Sequence, residues 1–319
     1  MKLVNYTYEN PEALEKFVYT YFRAQDHLFI QLFCGDVDRE KILHIVMALK
    51  KICPKSVIIG TSTAGEIRSG RIKTGTIQIS FCLLQKSLAK AYYFPEVNFH
   101  SGKCAAETIV EPNTQVCIAL AHPFGKDDSE DFIAGFNSIN PSIPLAGGNA
   151  ADAFVFQSAF IIHDTSIFDS GIVIVTLNGK SLYVNTAYSL GWAQVGREMC
   201  ITKAHKGTVY EVDHQSVQEL FRHYLGNDVV QNLPSSAMEF PFVKNSDGIE
   251  VCRSLLGVND DGSLEFSGYL EEGDKVRFAI GNVENVMDKA FLMQAKINEK
   301  PAEAIFIYSC SVRKLFLDK

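Results

Sequence analysis

Apolar residues along this chain of 319 residues gather in short runs of two kinds. Leu28–Phe33, Val57–Ile59, Val116–Ala121 and Gly171–Leu177 are nearly continuous and of strand length. Between them lie stretches with apolar residues at three- and four-residue spacings, Ile42, Ile45, Val46 and Leu49 in one, Phe132, Ile133 and Phe136 in another. That spacing predicts amphipathic helices. Both stretches open on acidic residues, from Asp38 and from Asp127, which suit the unpaired N–H groups of a helix N-terminus.

The runs repeat in order. Val57–Ile67 aligns without a gap to Ile143–Ala153 at a shift of 86 residues, matching Thr63 to Asn149, Ala64 to Ala150 and Glu66 to Asp152. Leu28–Phe33 corresponds to Val116–Ala121, Gly75–Phe81 to Gly171–Leu177, and Ala89–Phe94 to Leu182–Tyr188. Each copy, over about 28–94 and 116–188, reads as a β-α-β-β-β unit. A strand–helix–strand crossover predicts parallel pairing and the closing hairpin antiparallel pairing. The expected fold is α/β in the mixed α+β sense, with mixed sheets flanked by helices. Neither copy covers its own apolar faces, so the two are expected to pack together.

Past Trp192 the texture changes. Strands are predicted at Met199–Ala204, Val209–Val212, Ile249–Leu256, Leu264–Tyr269 and Val276–Ile280, and helices at Ser216–Leu225 and Val283–Ala295. Ala304–Cys310 reads as a last strand, similar to the opening strand of each copy. This second, C-terminal α+β subdomain divides the chain into 1–195 and 196–319.

Composition narrows the function classes. Hydrophobic residues make up 47% of the chain and charged residues 21%, enough for a substantial core. Thirty basic against 37 acidic residues leave a net charge of −7, which argues against nucleic acid as a partner. No apolar run approaches the roughly 20 residues of a membrane span, and Met1–Phe17 lacks the apolar stretch of a secretory leader. Eight cysteines lie scattered without a C-x-x-C pair, so reduced thiols and a cytoplasmic location are expected.

Gly60-Thr-Ser-Thr-Ala-Gly-Glu66, Gly147-Gly-Asn-Ala-Ala-Asp152, Gly191-Trp192 before Ile201–Ala204, Phe240-Pro241, Arg253, Gly262-Ser-Leu264, Gly273, Val276-Arg-Phe278 and Tyr308-Ser-Cys310 with Arg313 follow in an order that resembles the FIST domain, a bacterial ligand-sensing module. The likeness spans nearly the whole chain. It implies a sensory domain for small molecules, with amino acids proposed, and in a subset of the family a haem that responds to nitric oxide. Family members continue past the Ser-Cys-x-x-Arg strand into a further Gly-Thr-x-Thr-Ala-Gly-Glu-like loop. This chain stops before one, so a shortened C-terminal half is expected, with the effector domain or partner signalling protein outside this chain.

Candidate chemistry gathers in the two matched loops. Their small residues let backbone N–H groups approach an anion. Thr61, Ser62, Thr63, Gly65 and Glu66 in one, and Gly147, Gly148, Asn149 and Asp152 in the other, could hold a zwitterion, its carboxylate at the N–H groups and its ammonium at an acid. The competing reading is local: Thr63-x-x-Glu66 and Asn149-x-x-Asp152 also resemble capping boxes. Trp192 could stack on a ligand and Arg253 could clamp a carboxylate. Among eight histidines, His122 and His163 are the candidates for an axial haem ligand. No structural-metal pattern, hydrolase elbow or phosphate-binding loop occurs, so no catalytic residue, no metal and no cofactor other than the alternative haem is expected. The reading is a non-catalytic small-molecule sensor, with a haem-based gas sensor or a protein-interaction scaffold as alternatives.

Overall fold

The computed structural model describes residues 1–23, 26–123, 128–152, 157–237, 240–246, 248–299 and 301–317. They form two compact units, Met1–Thr186 with Pro301–Ser311, and Ala187–Lys300 with Val312–Lys319.

The first unit is built twice from one plan. The first copy runs β1 (Lys2–Thr7), α1 (Pro11–Tyr21), β2 (Leu28–Cys34), α2 (Arg39–Ile52), β3 (Val57–Ser62), the hairpin β4 (Glu66–Arg68) and β5 (Arg71–Lys73), and β6 (Ile77–Leu83). The second runs β7 (Leu88–Phe94), α3 (Phe99–Ile109), β8 (Thr114–Ala121), α4 (Ser129–Ile139), β9 (Leu145–Asn149), the hairpin β10 (Ile161–His163) and β11 (Ser166–Phe168), and β12 (Ile172–Asn178). Asp38 caps α2 by accepting from Lys41 N at 3.1 Å, and Asp128 caps α4 by accepting from Asp131 N at 3.0 Å.

This plan corrects the frame of the repeat. Ala89–Phe94 had the pattern of the first copy's closing strand, yet β7 pairs with β12, as β1 pairs with β6. It therefore opens the second copy. Its supposed counterpart, Leu182–Tyr188, is not a strand. Leu182 and Val184 still turn into the core, so the alternation there records an extended chain that lacks a ladder partner. Ala304–Cys310 behaves alike: Phe306 and Tyr308 pack inward, Ile305 and Ile307 point out, and no strand forms.

Two mixed sheets result, β1-β6-β2-β3-β10-β11 and β7-β12-β8-β9. In each, the crossover pair is parallel (β2 with β3, β8 with β9) and its neighbours are antiparallel. Alternate residues of each strand face opposite sides. Ile30, Leu32 and Ile58 meet Ile42, Val46 and Leu49 of α2, whereas Phe29, Ile59 and Ile161 meet Ile118, Leu120, Val173 and Val175 of the other sheet. Cys117, Ile172 and Ile174 in turn meet Ala105, Phe132 and Phe136 of α3 and α4. The layers are helices, sheet, sheet, helices. Each large side chain buried in the middle layer stabilises by about 1.5–3 kcal/mol, so the copies are held face to face as their apolar pattern demanded.

The second unit contains β13 (Trp192–His205), β14 (Thr208–Val212), β15 (Gln215–Ser216), α5 (Val217–Leu225), α6 (Asn227–Gln231), β16 (Phe242–Ser246), β17 (Ile249–Arg253), β18 (Leu255–Val258), β19 (Leu264–Phe266), β20 (Lys275–Gly281) and α7 (Val283–Ile297), with most of α8 (Ser311–Leu317). The strand path is β17-β16-β20-β13-β14-β19-β18, with β15 on β14. Its two end strands are joined through Ser254 alone. One residue spans only about 7 Å, so the sheet must curl until its ends meet. Phe221 of α5, Phe242, Phe266 and Phe278 fill the curl. Among the described residues no helix is long and apolar enough to cross a membrane.

Candidate functional site

In an α/β sheet, ligands settle where parallel strands end and helices begin, because unpaired N–H groups and short loops gather there. The first unit has two such places, at the C-terminal ends of β2–β3 and of β8–β9. Hydrogen bonds stitch them together. Ser62 N–H donates to Phe160 O at 3.0 Å, and Ser62 Oγ accepts from Phe160 N at 3.0 Å. Ala151 N–H donates to Ser62 O at 3.0 Å, Ala150 N–H to Ala121 O at 2.8 Å, and His122 N–H to Gly171 O at 2.9 Å. Two residues before Gly171, the Asp169 carboxylate takes both ends of the Arg39 guanidinium: Nη1 donates to Oδ2 at 2.8 Å and Nη2 to Oδ1. The same guanidinium lies over the Phe160 ring, 5.6 Å from its centroid. The contacts close into a ring drawn from both copies, running through Arg39, Phe160, Ser62, the loop at Ala150–Ala151, His122 and Asp169.

The predicted residues divide at this ring. Thr61 and Ser62 are buried at the end of β3, and both hydroxyls are engaged by backbone, Thr61 Oγ1 donating to Ser62 O at 3.1 Å. Glu66 is buried, its Oε1 accepting from Thr63 Oγ1 at 2.6 Å and its Oε2 from Thr76 Oγ1 at 2.6 Å and Thr76 N at 3.1 Å. Asp152 is buried too, and its Oδ2 accepts from Gln157 N and Ser158 N, both at 2.7 Å. Both acids thus brace their own loops. Strand β4 begins at Glu66 itself, so the first loop is not a capping box, and residues 153–156 after Asp152 lie outside the described residues. Gly65 is half-buried between Ala64 and Glu66.

The glycine pair splits as well. Gly147 has φ +143°, and a Cβ there would fall 1.8 Å from Ala119 O, so close pairing of β9 on β8 requires glycine. A Cβ on Gly148 would meet nothing within 4 Å. Asn149 is exposed and accepts from Ser129 Oγ, at the start of α4, at 2.9 Å. Trp192 and Arg253 belong to the second unit. There Arg253 Nε donates to Tyr269 O at 3.2 Å, and Trp192 packs on Phe316 at 5.7 Å between centroids. Strands β16 and β20 lie between the strands that carry them, and each of the two residues is engaged by neighbours within the second unit.

Arg39 and Asp169 escaped the sequence reading. A signal existed: arginine is the first residue of α2, where a cation opposes the helix dipole. Its partner offsets that cost. Hydrogen bonding from Arg39 holds the Asp169 carboxyl below the usual carboxylate range, and the nearby His122 adds to the effect. Asp169 in turn pushes Arg39 up.

The FIST N domain profile matches residues 28–215 and the FIST C domain profile residues 218–319. The chain belongs to the FIST family. No curated protein matches it. FIST domains are sensory domains of signal transduction. The boundary between the two FIST matches falls beside the start of α5, inside the second compact unit.

Haem, which occurs in part of the FIST family, needs an axial ligand set in an apolar slot. His122 lies beside the Asp169–Arg39 pair, and His163 ends β10 next to Asp164, which pairs with Lys50 at 2.8 Å. Charged neighbours at both positions do not fit the group. Among the described residues no cluster of three or more His, Cys, Asp or Glu is placed to hold a metal ion. In the second unit a hollow of about 520 Å³ opens along β13, β16, β17 and β20. Its polar side chains already answer one another, Gln194 Nε2 donating to Glu250 at 2.7 Å and Asp274 pairing with Lys244 at 2.7 Å.

Proposed function

We propose that this chain is a non-catalytic sensory domain that works in the cytoplasm and binds a small polar metabolite, an amino acid, at the ring in its first unit. The Ala151–Ser62 hydrogen bond carries the reading, because it brings the matched loops of the two copies to one rim. Exposed Asn149 and the open space over Gly148 supply polar contact and access there. The hydroxyls of Thr61 and Ser62 are tied to backbone groups, which supports binding over nucleophilic chemistry. An effector domain or partner signalling protein then reads the bound state. Thermal-shift titration against each of the twenty protein amino acids tests the proposal. At least one should raise the melting temperature, and a well-folded sample indifferent to all twenty would sink it.

One observation favours a protein-interaction scaffold as the second reading. Helix α7 exposes Val283, Met287, Phe291 and Leu292 at 45–67% of their full accessibility, an apolar display suited to a protein partner. A pull-down abolished by Phe291→Asp and Leu292→Asp would favour it.

A further inference from the structure

We infer that the Arg39–Asp169 ion pair is the amino-acid reader of this site, a built-in stand-in for a zwitterion that the ligand displaces. The inference rests on the binding reading above and goes beyond it by naming the groups that recognise the ligand and the contact that binding breaks.

Three observations carry it. First, a guanidinium fork on a carboxylate has the charge pattern that an α-amino acid reproduces with its ends reversed: its carboxylate can occupy the fork in place of Asp169, and its ammonium can take the carboxylate in place of Arg39. Second, the pair is reachable. The Arg39 side chain is 41% exposed and that of Asp169 64% exposed, whereas Glu66 and Asp152, the acids of the matched loops, are buried and occupied by their own loops. Third, the pair joins the two copies at the rim, as the Lys50–Asp164 pair does at the other end of α2. Arg39 opens α2 in the first copy, and Asp169 sits on the three-residue link from β11 in one sheet to β12 in the other. Phe160, under the guanidinium, fixes where the fork must lie.

Displacement therefore exchanges a direct strap between α2 and the inter-sheet link for one that passes through the ligand. No bond is made or broken covalently. The α-carboxylate gains a charge-assisted bidentate contact, the α-ammonium gains Asp169, and the side chain of the amino acid is left to the rim beside Gly148 and Asn149. The ligand class that follows is a free α-amino acid, with both charged ends required.

The test uses the full chain and calorimetric titration with each of the twenty amino acids, and with acetate and methylammonium as single-charge probes. Wild-type protein should bind at least one amino acid and neither single-charge probe measurably. Arg39→Gln and Asp169→Asn should each weaken amino-acid binding about 10- to 100-fold, and Asp169→Asn should newly admit acetate, because it frees the fork. Far-ultraviolet circular dichroism should be unchanged, since both side chains lie at the surface. Arg39→Lys and Asp169→Glu should restore part of the binding. Amino-acid binding that survives both neutral variants at wild-type strength overturns this inference and leaves the binding reading intact. Absence of binding by the folded wild-type chain overturns both.

Discussion

Gly35 and Glu66 lie so close that a Cβ on Gly35 would fall 2.3 Å from Glu66 Oε1. The glycine after β2 makes room for a carboxylate that ties the β3–β4 turn to Thr76. Glu66→Ala would strand the half-buried donors of Thr63 and Thr76, at a cost of about 1–3 kcal/mol. We therefore expect it to lower the urea midpoint of the first unit clearly, with Glu66→Gln milder. Gly35→Ala should resemble Glu66→Ala, because it pushes the same carboxylate aside.

The two neighbouring glycines should answer mutation in opposite ways. Gly147→Ala meets Ala119 O and a backbone torsion that L-residues avoid, so a loss of more than about 2 kcal/mol or a failure to fold is expected. Gly148→Ala should be nearly neutral. A bulky residue in the same place, Gly148→Phe, should leave the thermal unfolding temperature within a few degrees, on the order of one surface substitution. It should nevertheless abolish the response to amino acids. Differential scanning fluorimetry with and without amino acid separates the two outcomes.

Acid should release the surface pairs first. Asp169 is held low by Arg39 and Asp36 by Lys41. A carboxylate depressed in the folded state contributes stability above its ordinary value, and that stability is lost as pH falls through the folded value. Both pairs are partly exposed, so each is worth no more than about 1 kcal/mol. Denaturant midpoints compared at neutral pH and near pH 3 should differ less in Asp36→Asn/Asp169→Asn than in the wild type.

Thiol chemistry offers a count. Burial pushes the thiols of Cys53 and Cys82 up to about 11 and that of Cys117 to about 12, and raises Cys34 further. Thiolate is the reactive form, so a thiol reagent near pH 8 should label exposed Cys310 quickly and spare these four until the first unit unfolds. Fast native labelling of any of the four would contradict the burial described.

Trp192 gives the second unit a spectroscopic handle, since it is the chain's single tryptophan. Its indole nitrogen is buried without an acceptor, so Trp192→Phe should cost little stability or none. Arg313 Nη2 donates to Ser189 O and to Leu190 O, the latter at 2.8 Å, holding the segment that leads into Trp192. Arg313→Ala should shift the tryptophan emission to longer wavelength as the ring loses its place against Phe316.

Much of the first unit was legible because burial writes itself into periodicity. The continuous apolar runs at Leu28–Phe33 and Val116–Ala121 are strands covered on both faces, and the three- and four-residue spacings after Asp38 and Asp127 are helices. What alternation cannot reveal is a partner. Leu182–Tyr188 and Ala304–Cys310 alternate because they lie extended against a core, and only long-range pairing decides that no ladder forms. The hairpins β4–β5 and β10–β11, of three residues a strand, were too short to leave a period. At the site, the matched loops did meet, yet the charges within them proved to be braces. The exposed ion pair went unseen because its halves lie 130 positions apart, and nothing local marks Asp169.

The hairpin β10–β11 belongs by descent to the second copy but extends the sheet of the first, through β10 on β3. The copies are thereby interlocked: pulling them apart would tear a strand from its neighbour and bare an apolar face. A messenger arriving at this molecule should thus be felt as a local re-latching at the rim, passed along a stiff frame, and hardly at all as a hinge opening through its middle.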